Sequence, residues 1–446
     1  MTINATRLIA AGAALCLLTS AVPAWAGSTS RVDGVWLTDG YGLVTEVADG
    51  HAQSYEITRI SCVKGLDSAQ TGPDRFANKD FEFTLRADRR GQRATQQIDS
   101  SVGERHLRRL PALPAQCRRP APTDRLTAFD VFWTTFAENY PFFAAKNVDW
   151  LAVRDQYRPK VSQDTTDDQF FDVLAAMVRP LGDAHVMLRG GERSFVALRP
   201  GTTLPTPDEE REVRSFIVRR DLGGTPLREF GRGRIGYAEL PGRIGYLRLI
   251  AFTGYTGKGF AADAAELDRA LDAVLPTGKT TGPRALRGLI IDVRINGGGD
   301  DPLGVQIARR LTGRPYLAYT KQVRNDSRRQ PLWVHPGPAV YTGPVAVLTG
   351  GSTFSAGETF AQALIGRTPS PVRIGENTQG VFSDKLERTL PNGWSFTLPN
   401  EEYLTRTGGT FDGTGIPPHV RTPVFTREEF AADRDSAFDR AVTLLR

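Results

Sequence analysis

The feature that most constrains this chain is the alternation of short apolar strands with helical patterns in its second half. Strand-like runs occupy residues 244–251, 288–293, 345–348 and 372–374, and helical patterns lie between them at about 260–275, 302–312 and 355–366. Alternating strands and helices predict a layered α/β core, which we place at residues 191–446. Residues 200–243 show no pattern that can be assigned.

A β-rich region is predicted at residues 27–115, before this core. Apolar and polar side chains alternate there between turn dipeptides such as Asp39-Gly40 and Asp49-Gly50, which are typical of hairpins. A small barrel or a meander fits this pattern. Four prolines within residues 111–123 then indicate a linker.

A helical domain is predicted at residues 116–190, between the β-rich region and the core. Phe129, Phe132 and Phe136 recur at helical spacing, and Thr123 or Asp124 is available as the N-cap. We expect these aromatic side chains to form the core of a helical bundle, because such stripes usually face other helices.

Residues 1–26 have the pattern of a secretory signal peptide. Arg7 precedes an apolar run at residues 8–22, and Ala24-Trp25-Ala26 provides small residues for cleavage after Ala26. A membrane anchor is the alternative, but the run is shorter than the ~20 residues that span a bilayer. The sequence therefore predicts an exported protein, periplasmic or extracellular, without a membrane anchor after cleavage.

The charge and the cysteine content limit the kinds of partner and cofactor that we expect. The 446 residues carry 56 Lys and Arg against 50 Asp and Glu, with no run of like charges that would suggest a nucleic-acid partner. Cys16 lies in the signal peptide, which leaves Cys62 and Cys117 either as one disulfide or as two separate buried thiols. Neither cysteine has a metal-ligand pattern around it, so we expect no metal and no cofactor.

A serine-containing turn follows the strand at residues 345–348 and opens a helical pattern. A serine at such a junction lies at the edge of a sheet and at the positive end of a helix, where backbone N–H groups can stabilise an oxyanion. Ser355 is therefore a candidate nucleophile. Two alternatives remain open at this point: Ser355 is only a helix N-cap, or Ser352 is the nucleophile.

Three consecutive glycines, residues 297–299, follow the strand that ends at Val293. Glycines let a backbone approach a substrate closely and direct its N–H groups into a cleft. A phosphate-binding loop is excluded because no Gly-Lys-Ser/Thr follows, and a flexible loop is the other interpretation. Asp292 and Arg294 are expected to pair with each other and fix the turn.

His185 is the candidate general base among the five histidines of the chain. It alone lies in a Gly/Asp turn where the helical region meets the core. An isolated histidine is usually a polar residue with satisfied hydrogen bonds. Because imidazole titrates near neutral pH, however, the presence of Ser355 and the glycine loop favours a role in proton transfer.

Four motifs occur in the order found in the C-terminal processing peptidase and tricorn-core superfamily, which this chain resembles. They lie at residues 292–299 (DVRINGGG), 352–358 (STFSAGE), 374–380 (IGENTQG) and 412–418 (DGTGIPP). The resemblance covers about residues 124–425. It implies a multi-domain α/β protein whose crotonase-like core of stacked ββα units follows the helical segment, with the β-rich domain outside it.

The resemblance also implies which set of catalytic residues this chain uses. Processing peptidases use a Ser/Lys dyad whose lysine follows a G-E-x-x-x-G turn, but the matching position here is Val381, and the next lysine is Lys385. Tricorn-like members instead use a histidine, a serine and an acid, which correspond to His185, Ser355 and Asp412. The chain therefore resembles the tricorn-like branch.

In the family, backbone N–H groups form the oxyanion hole. The resemblance implies that Gly297, Gly298 and Ala356 supply them here. The function predicted is that of a serine peptidase that hydrolyses peptides or proteins through an acyl-enzyme. Two alternatives stay open: a non-catalytic binder of peptides or hydrophobic ligands on the same fold, and an esterase using the same triad.

Overall fold

The computed structural model describes residues 31–119 and 121–446. The predicted signal peptide, with Arg7 and Cys16, lies outside the described residues. Within the part of the chain that is described, no helix combines the length and apolar character needed to cross a membrane.

The first described residues form a closed eight-stranded antiparallel barrel, which confirms the predicted β-rich character of this region. Trp36, Phe76 and Phe83 fill its interior and are almost completely buried. The Asp49-Gly50 turn has positive φ at both residues, as a tight hairpin requires. The strands are β1 Gly34–Thr38, β2 Leu43–Ala48, β3 His51–Ile57, β4 Cys62–Gly72, β5 Arg75–Ala77, β6 Glu82–Ala87, β7 Arg93–Ile98 and β8 Arg105–Leu110.

A disulfide joins the barrel to the segment that leads into the helices. Cys62, the first residue of β4, is bonded to Cys117 with an S–S distance of 2.08 Å. The two cysteines are therefore one disulfide and not separate thiols.

Three helices follow the barrel: α1 Arg125–Asn139, α2 Trp150–Tyr157 and α3 Asp167–Val178. Asp124 is the N-cap of α1, because its side chain accepts a hydrogen bond from the Thr127 N–H. Phe132 and Phe136 are buried and contact Phe396 across the junction with the core. The helical aromatics thus form a core, as predicted, and a strand of the next domain contributes to it.

Fourteen further strands are described beyond the helices. They are β9 Asp183–Gly190, β10 Arg193–Ala197, β11 Arg228–Phe230, β12 Ile235–Leu240, β13 Ile244–Leu249, β14 Gly288–Asp292, β15 Tyr316–Val323, β16 Arg329–Val334, β17 Val345–Thr349, β18 Val372–Gly375, β19 Lys385–Thr389, β20 Ser395–Pro399, β21 Glu401–Leu404 and β22 Val420–Arg421. The helices among and after them are α4 Pro207–Phe216, α5 Phe260–Val274, α6 Thr277–Thr280, α7 Asp301–Arg309, α8 Ala356–Ile365, α9 Arg427–Ala431 and α10 Ser436–Leu445.

The central sheet has seven strands in the order β11-β12-β13-β14-β17-β18-β22, and it is parallel from β13 onward. Helices α5, α7 and α8 cover one face, and α4 and α10 cover the other. Every residue of β14 and β17 is therefore buried, which explains why both strands lack polar side chains except at their last residues, Asp292 and Thr349.

The parallel pairing of β14 and β17 determines where the motifs lie. Both strands end at the same edge of the sheet, so the glycine triplet and the serine turn that follow them become neighbours. A second sheet, in the order β10-β9-β20-β19, brings β9 and its His185 to this edge. A third sheet has the order β16-β15-β21.

Residues 200–243, which had no sequence assignment, contain α4, a π-helical turn at Ile217–Asp221, β11 and β12. Helix α4 buries only Val213 and Phe216, so its sequence has too few apolar residues at helical spacing to be recognised as a helix. Strand β12 has six residues and depends on its antiparallel pairing with β13.

The barrel docks on the core through buried polar groups. The Tyr41 hydroxyl donates to Glu401 Oε1 at 2.5 Å, and Lys321 Nζ lies 3.2 Å from the same oxygen. The Asn400 amide donates to Gly40 O at 3.0 Å. Glu401 and Asn400 are completely buried, so these contacts hold the barrel in a fixed position on the core.

Candidate active site

Ser355 lies between β17 and α8 in a strained backbone conformation, with φ +55° and ψ −121°. A non-glycine residue in such a conformation costs about 1–3 kcal/mol, and such residues cluster at functional sites. Its side chain does not cap α8; its Oγ lies 3.1 Å from His185 Nε2. The structure thus brings two of the predicted site residues into hydrogen-bond contact across 170 residues of sequence.

His185 is held by its backbone on both sides. Its N–H donates to Asp183 Oδ1 at 3.0 Å, and its carbonyl accepts from the Thr397 hydroxyl at 2.6 Å. The ring packs edge-on against Phe354 and is 2% exposed. Burial, helped by the charge of Lys385, lowers the pKa of His185 to about 3. The imidazole is therefore neutral at pH 7 and can accept a proton.

Asp412 is buried in the same region but has other hydrogen-bond partners. Its Oδ1 accepts from the Phe382 N–H at 3.3 Å, and its Oδ2 accepts from the Thr410 hydroxyl at 2.7 Å. Burial raises the pKa of Asp412 to about 7, and the nearby Asp183 adds to this shift. Within the described chain, His185 Nδ1 has no hydrogen-bond partner, so the predicted Asp412–His185 contact is not made.

The glycine triplet packs directly against Ser355. A Cβ at Gly298 would lie 2.7 Å from Ser355 Cβ and 3.0 Å from Phe354 O, and Gly298 has φ +82°. Only glycine fits at this position, because any side chain would displace the serine turn. The close approach at Gly298 is therefore to the serine turn, whereas the sequence predicted an approach to a substrate.

The N–H groups expected to form the oxyanion hole are only partly available. The Gly297 N–H donates to Ile250 O and the Gly298 N–H donates to Asn296 Oδ1, both at 2.9 Å. This corrects the expectation for these two glycines, because the Asn296 side chain and the end of β13 already accept their hydrogen bonds. In the described part of the chain, the N–H groups of Ala356 and Gly299 have no acceptor.

Two neighbours of Ser355 have structural contacts. Ser352 Oγ lies 2.8 Å from Thr203 Oγ1 and therefore forms its hydrogen bond with Thr203 and not with His185. The Glu358 carboxylate accepts from the N–H groups of Gly380 and Val381 at 2.6 and 2.8 Å. Burial raises the pKa of Glu358 to about 8. Glu358 therefore ties the serine helix to the turn that follows β18.

The predicted pairing beside the glycine loop is confirmed and extended. Arg294 contacts Asp292 through two hydrogen bonds of 3.0 and 2.7 Å, and a second carboxylate, Asp435 at the start of α10, accepts from it at 2.7 Å. All three side chains are buried. The loop after β14 is thus anchored to the C-terminal helix.

Sequence reasoning missed the residues behind His185. The Tyr140 hydroxyl, just after α1, donates to Asp183 Oδ2 at 3.0 Å, and both groups are buried. Asp183 is the first residue of β9, two residues before His185, and its position next to Gly182 was the only available signal. His185 therefore lies in a strand and not in the predicted turn. No group of three or more His, Cys, Asp or Glu side chains suited to a metal ion occurs among the described residues.

Comparisons with known proteins relate two segments of this chain to peptidases. The sequence model of peptidase family S41 matches residues 243–422, and that of the tricorn protease C1 domain matches residues 121–179. The carboxy-terminal-processing protease of Bartonella bacilliformis is 26% identical over 209 residues, which are 47% of this chain and 45% of the relative. The chloroplastic C-terminal processing peptidase of Tetradesmus obliquus is 26% identical over 248 residues, 54% of this chain and 49% of the relative.

Among solved structures, a candidate peptidase from Parabacteroides merdae is similar with a TM-score of 0.60 and 25% identity, over 73% of this chain and 97% of that one. The matched models are both those of peptidases. The two segments that they cover resemble the superfamily of C-terminal processing and tricorn-core peptidases. It spans about half the length of the curated relatives that it matches.

Proposed function

We propose that this chain is a serine peptidase in which Ser355 is the nucleophile and His185 is the general base. The observation that carries the proposal is the 3.1 Å contact between Ser355 Oγ and His185 Nε2, made by a serine in a strained turn at the end of a buried strand. A structural serine at this position would be free to cap α8 and to adopt ordinary dihedral angles.

The proposed reaction is an acyl transfer. His185 removes the Ser355 proton as Oγ attacks the carbonyl carbon of a peptide bond, and then gives the proton to the leaving amine. Water attacks the acyl-enzyme in the second half of the reaction, with His185 again as the base. In this proposal the N–H of Ala356, at the positive end of α8, stabilises the oxyanion, and the N–H of Gly299 is the second donor. Both N–H groups lack an acceptor among the described residues.

Asp412 is the acid of the proposed triad. It is buried and lies near Asp183, which bonds the His185 backbone. The imidazolium that forms during catalysis is strongly disfavoured by burial, and a nearby carboxylate would stabilise it. We infer that Asp412 supplies this negative charge once it is deprotonated.

Two further parts of the proposal rest on the sequence. Residues 1–26 predict export, so the substrates would be peptides or proteins outside the cytoplasm. A crotonase-like core of stacked ββα units is proposed for the region of the central sheet. The parallel run from β13 to β22, with α7 and α8 between its strands, supports this arrangement.

The experiment that tests this function is incubation of the purified protein with a complex peptide library, followed by mass spectrometry of the products. Ser355→Ala should abolish all cleavage. The matched control is Ser352→Ala, since Ser352 lies in the same turn but bonds Thr203, and it should retain cleavage. Equal cleavage by the wild type and Ser355→Ala would show that the assignment is wrong.

A further inference from the structure

The chain segment after α1 reaches the buried acids behind His185. Lys146 Nζ donates to Gly182 O at 3.3 Å, next to Asp183. A Cβ at Gly413 would lie 3.1 Å from the same nitrogen, so the ammonium also lies against the residue that follows Asp412. Lys146 therefore stands between the two backbone segments that carry the two buried carboxylates.

Two buried carboxyl groups, Asp183 and Asp412, lie near the single ammonium group of Lys146. Asp183 and Asp412 are both buried, and the charge of Asp183 raises the pKa of Asp412. The charge of Lys146 lowers the pKa of both carboxyl groups. The other titratable groups that face this cluster are Tyr140, which bonds Asp183, Glu358 on α8, and His185 with Lys385 beside it.

We propose that Lys146 is a positioning residue of this site: its ammonium neutralises one of the two buried carboxylates and so keeps Asp412 available as the partner of the imidazolium. This inference rests on the proposed peptidase function and deepens it. It assigns a role in the reaction to a residue of the helical domain, outside the four sequence motifs.

A count of charges explains why such a cation is needed. Counted over Asp183, Asp412, Lys146 and His185 alone, without Lys385, the net charge is −1 when both carboxylates are ionised, Lys146 is protonated and His185 is neutral. When His185 takes the Ser355 proton, the cluster becomes neutral. Without Lys146 the resting cluster would hold two uncompensated negative charges in a buried region. One carboxyl group would then keep its proton and could not support the imidazolium.

The test compares Lys146→Met, which removes the charge at similar volume, with Lys146→Arg, which retains it. The first measurement is the pKa of the Asp412 carboxyl group, followed by ¹³C NMR in the resting protein and assigned with Asp412→Asn. Lys146→Met should raise this pKa by about one unit or more, and Lys146→Arg should leave it near the wild-type value. Lys146→Gln is the second uncharged variant, should Lys146→Met fail to fold.

The second measurement is the rate at which a fluorophosphonate labels Ser355 as a function of pH. The acid limb of this profile should move upward in Lys146→Met together with the Asp412 pKa. Tyr140→Phe removes a hydrogen bond to Asp183 but no charge, so it should not raise the acid limb as Lys146→Met does. An Asp412 pKa that is the same in Lys146→Met and the wild type would overturn the role of Lys146. Absence of labelling in the wild type would instead overturn the proposed function, because the NMR titration does not depend on it.

Discussion

At the scale of single residues, the site depends on one backbone conformation that a serine does not readily adopt. Ser355 has φ +55°, and Gly298 leaves no room for the turn to relax toward it. The surrounding structure therefore keeps Oγ directed at His185 and maintains this strained conformation.

This strain predicts a difference between two inactive variants. Ser355→Gly removes both Oγ and the strain, whereas Ser355→Ala removes Oγ alone. We expect Ser355→Gly to be more stable by about 1–2 kcal/mol, after allowance for the greater freedom of glycine in the unfolded chain. Urea denaturation of both variants measures this difference. Equal stabilities would show that the serine conformation costs nothing.

Two single residues, His185 and Asp412, also determine how the activity depends on pH. His185, with its pKa lowered to about 3, is neutral over the whole neutral range, whereas Asp412 loses its proton only near pH 7. We therefore expect kcat/KM to rise with pH through about 7, as Asp412 becomes charged. Asp412→Asn should eliminate this rise and lower activity by roughly 10²–10⁴-fold. A profile that keeps its acid limb in Asp412→Asn would assign the limb to another group.

At the scale of secondary-structure elements, buried side chains fix the ends of strands to helices. Arg294 ties the loop after β14 to α10 through Asp435, and Glu358 ties α8 to the turn after β18. These links hold the serine turn and the glycine loop in register, although neither link touches the reacting atoms.

Removal of the Arg294 link should be costly. Arg294→Met would leave the Asp292 and Asp435 carboxylates buried without their cation, so we expect a loss of about 3–5 kcal/mol in the free energy of unfolding. Arg269→Met is the control, because Arg269 pairs with Glu266 on the surface of α5 and should cost less than about 1 kcal/mol. A similar cost for both variants would contradict the anchoring role of Arg294.

At the scale of the whole molecule, three regions pack into one body around a shared edge. The barrel contacts the core through Tyr41 and Glu401, the helices contribute Tyr140 to the site, and the disulfide joins the barrel to the linker. Ser355 comes from the core, and His185 comes from β9, which leads from the helices into the core, so the candidate site depends on how these regions pack together.

The disulfide gives a prediction at this scale. Cys62 and Cys117 close a loop of 55 residues, so their replacement by serine should cost about 2–4 kcal/mol. The melting temperature of the wild type should fall when reductant is added, and that of the double serine variant should not respond. If reductant had no effect on the wild type, the bond would contribute nothing to stability.

The sequence allowed prediction of features that depend on local pattern. Strands β14 and β17 are recognisable because both of their faces are buried, and Ser355 is identifiable from its turn. His185 is identifiable from the Gly182-Asp183 pair before it, although it lies in β9. Contacts between distant segments were not predictable. Lys146 and Tyr140 reach the site only through packing, and the Asn296 amide takes the Gly298 N–H that was expected to face a substrate.

The docking of the barrel has a consequence for the timing of folding. Tyr41 and its partner Glu401 are 360 residues apart, so the barrel leaves the ribosome long before Glu401, to which it docks, has been synthesised. The strands of the barrel pair with their sequence neighbours and can form early, whereas the interface must wait for β21. A nascent chain would thus carry a folded barrel with its docking groups exposed, beside an incomplete candidate site, until β21 has been synthesised.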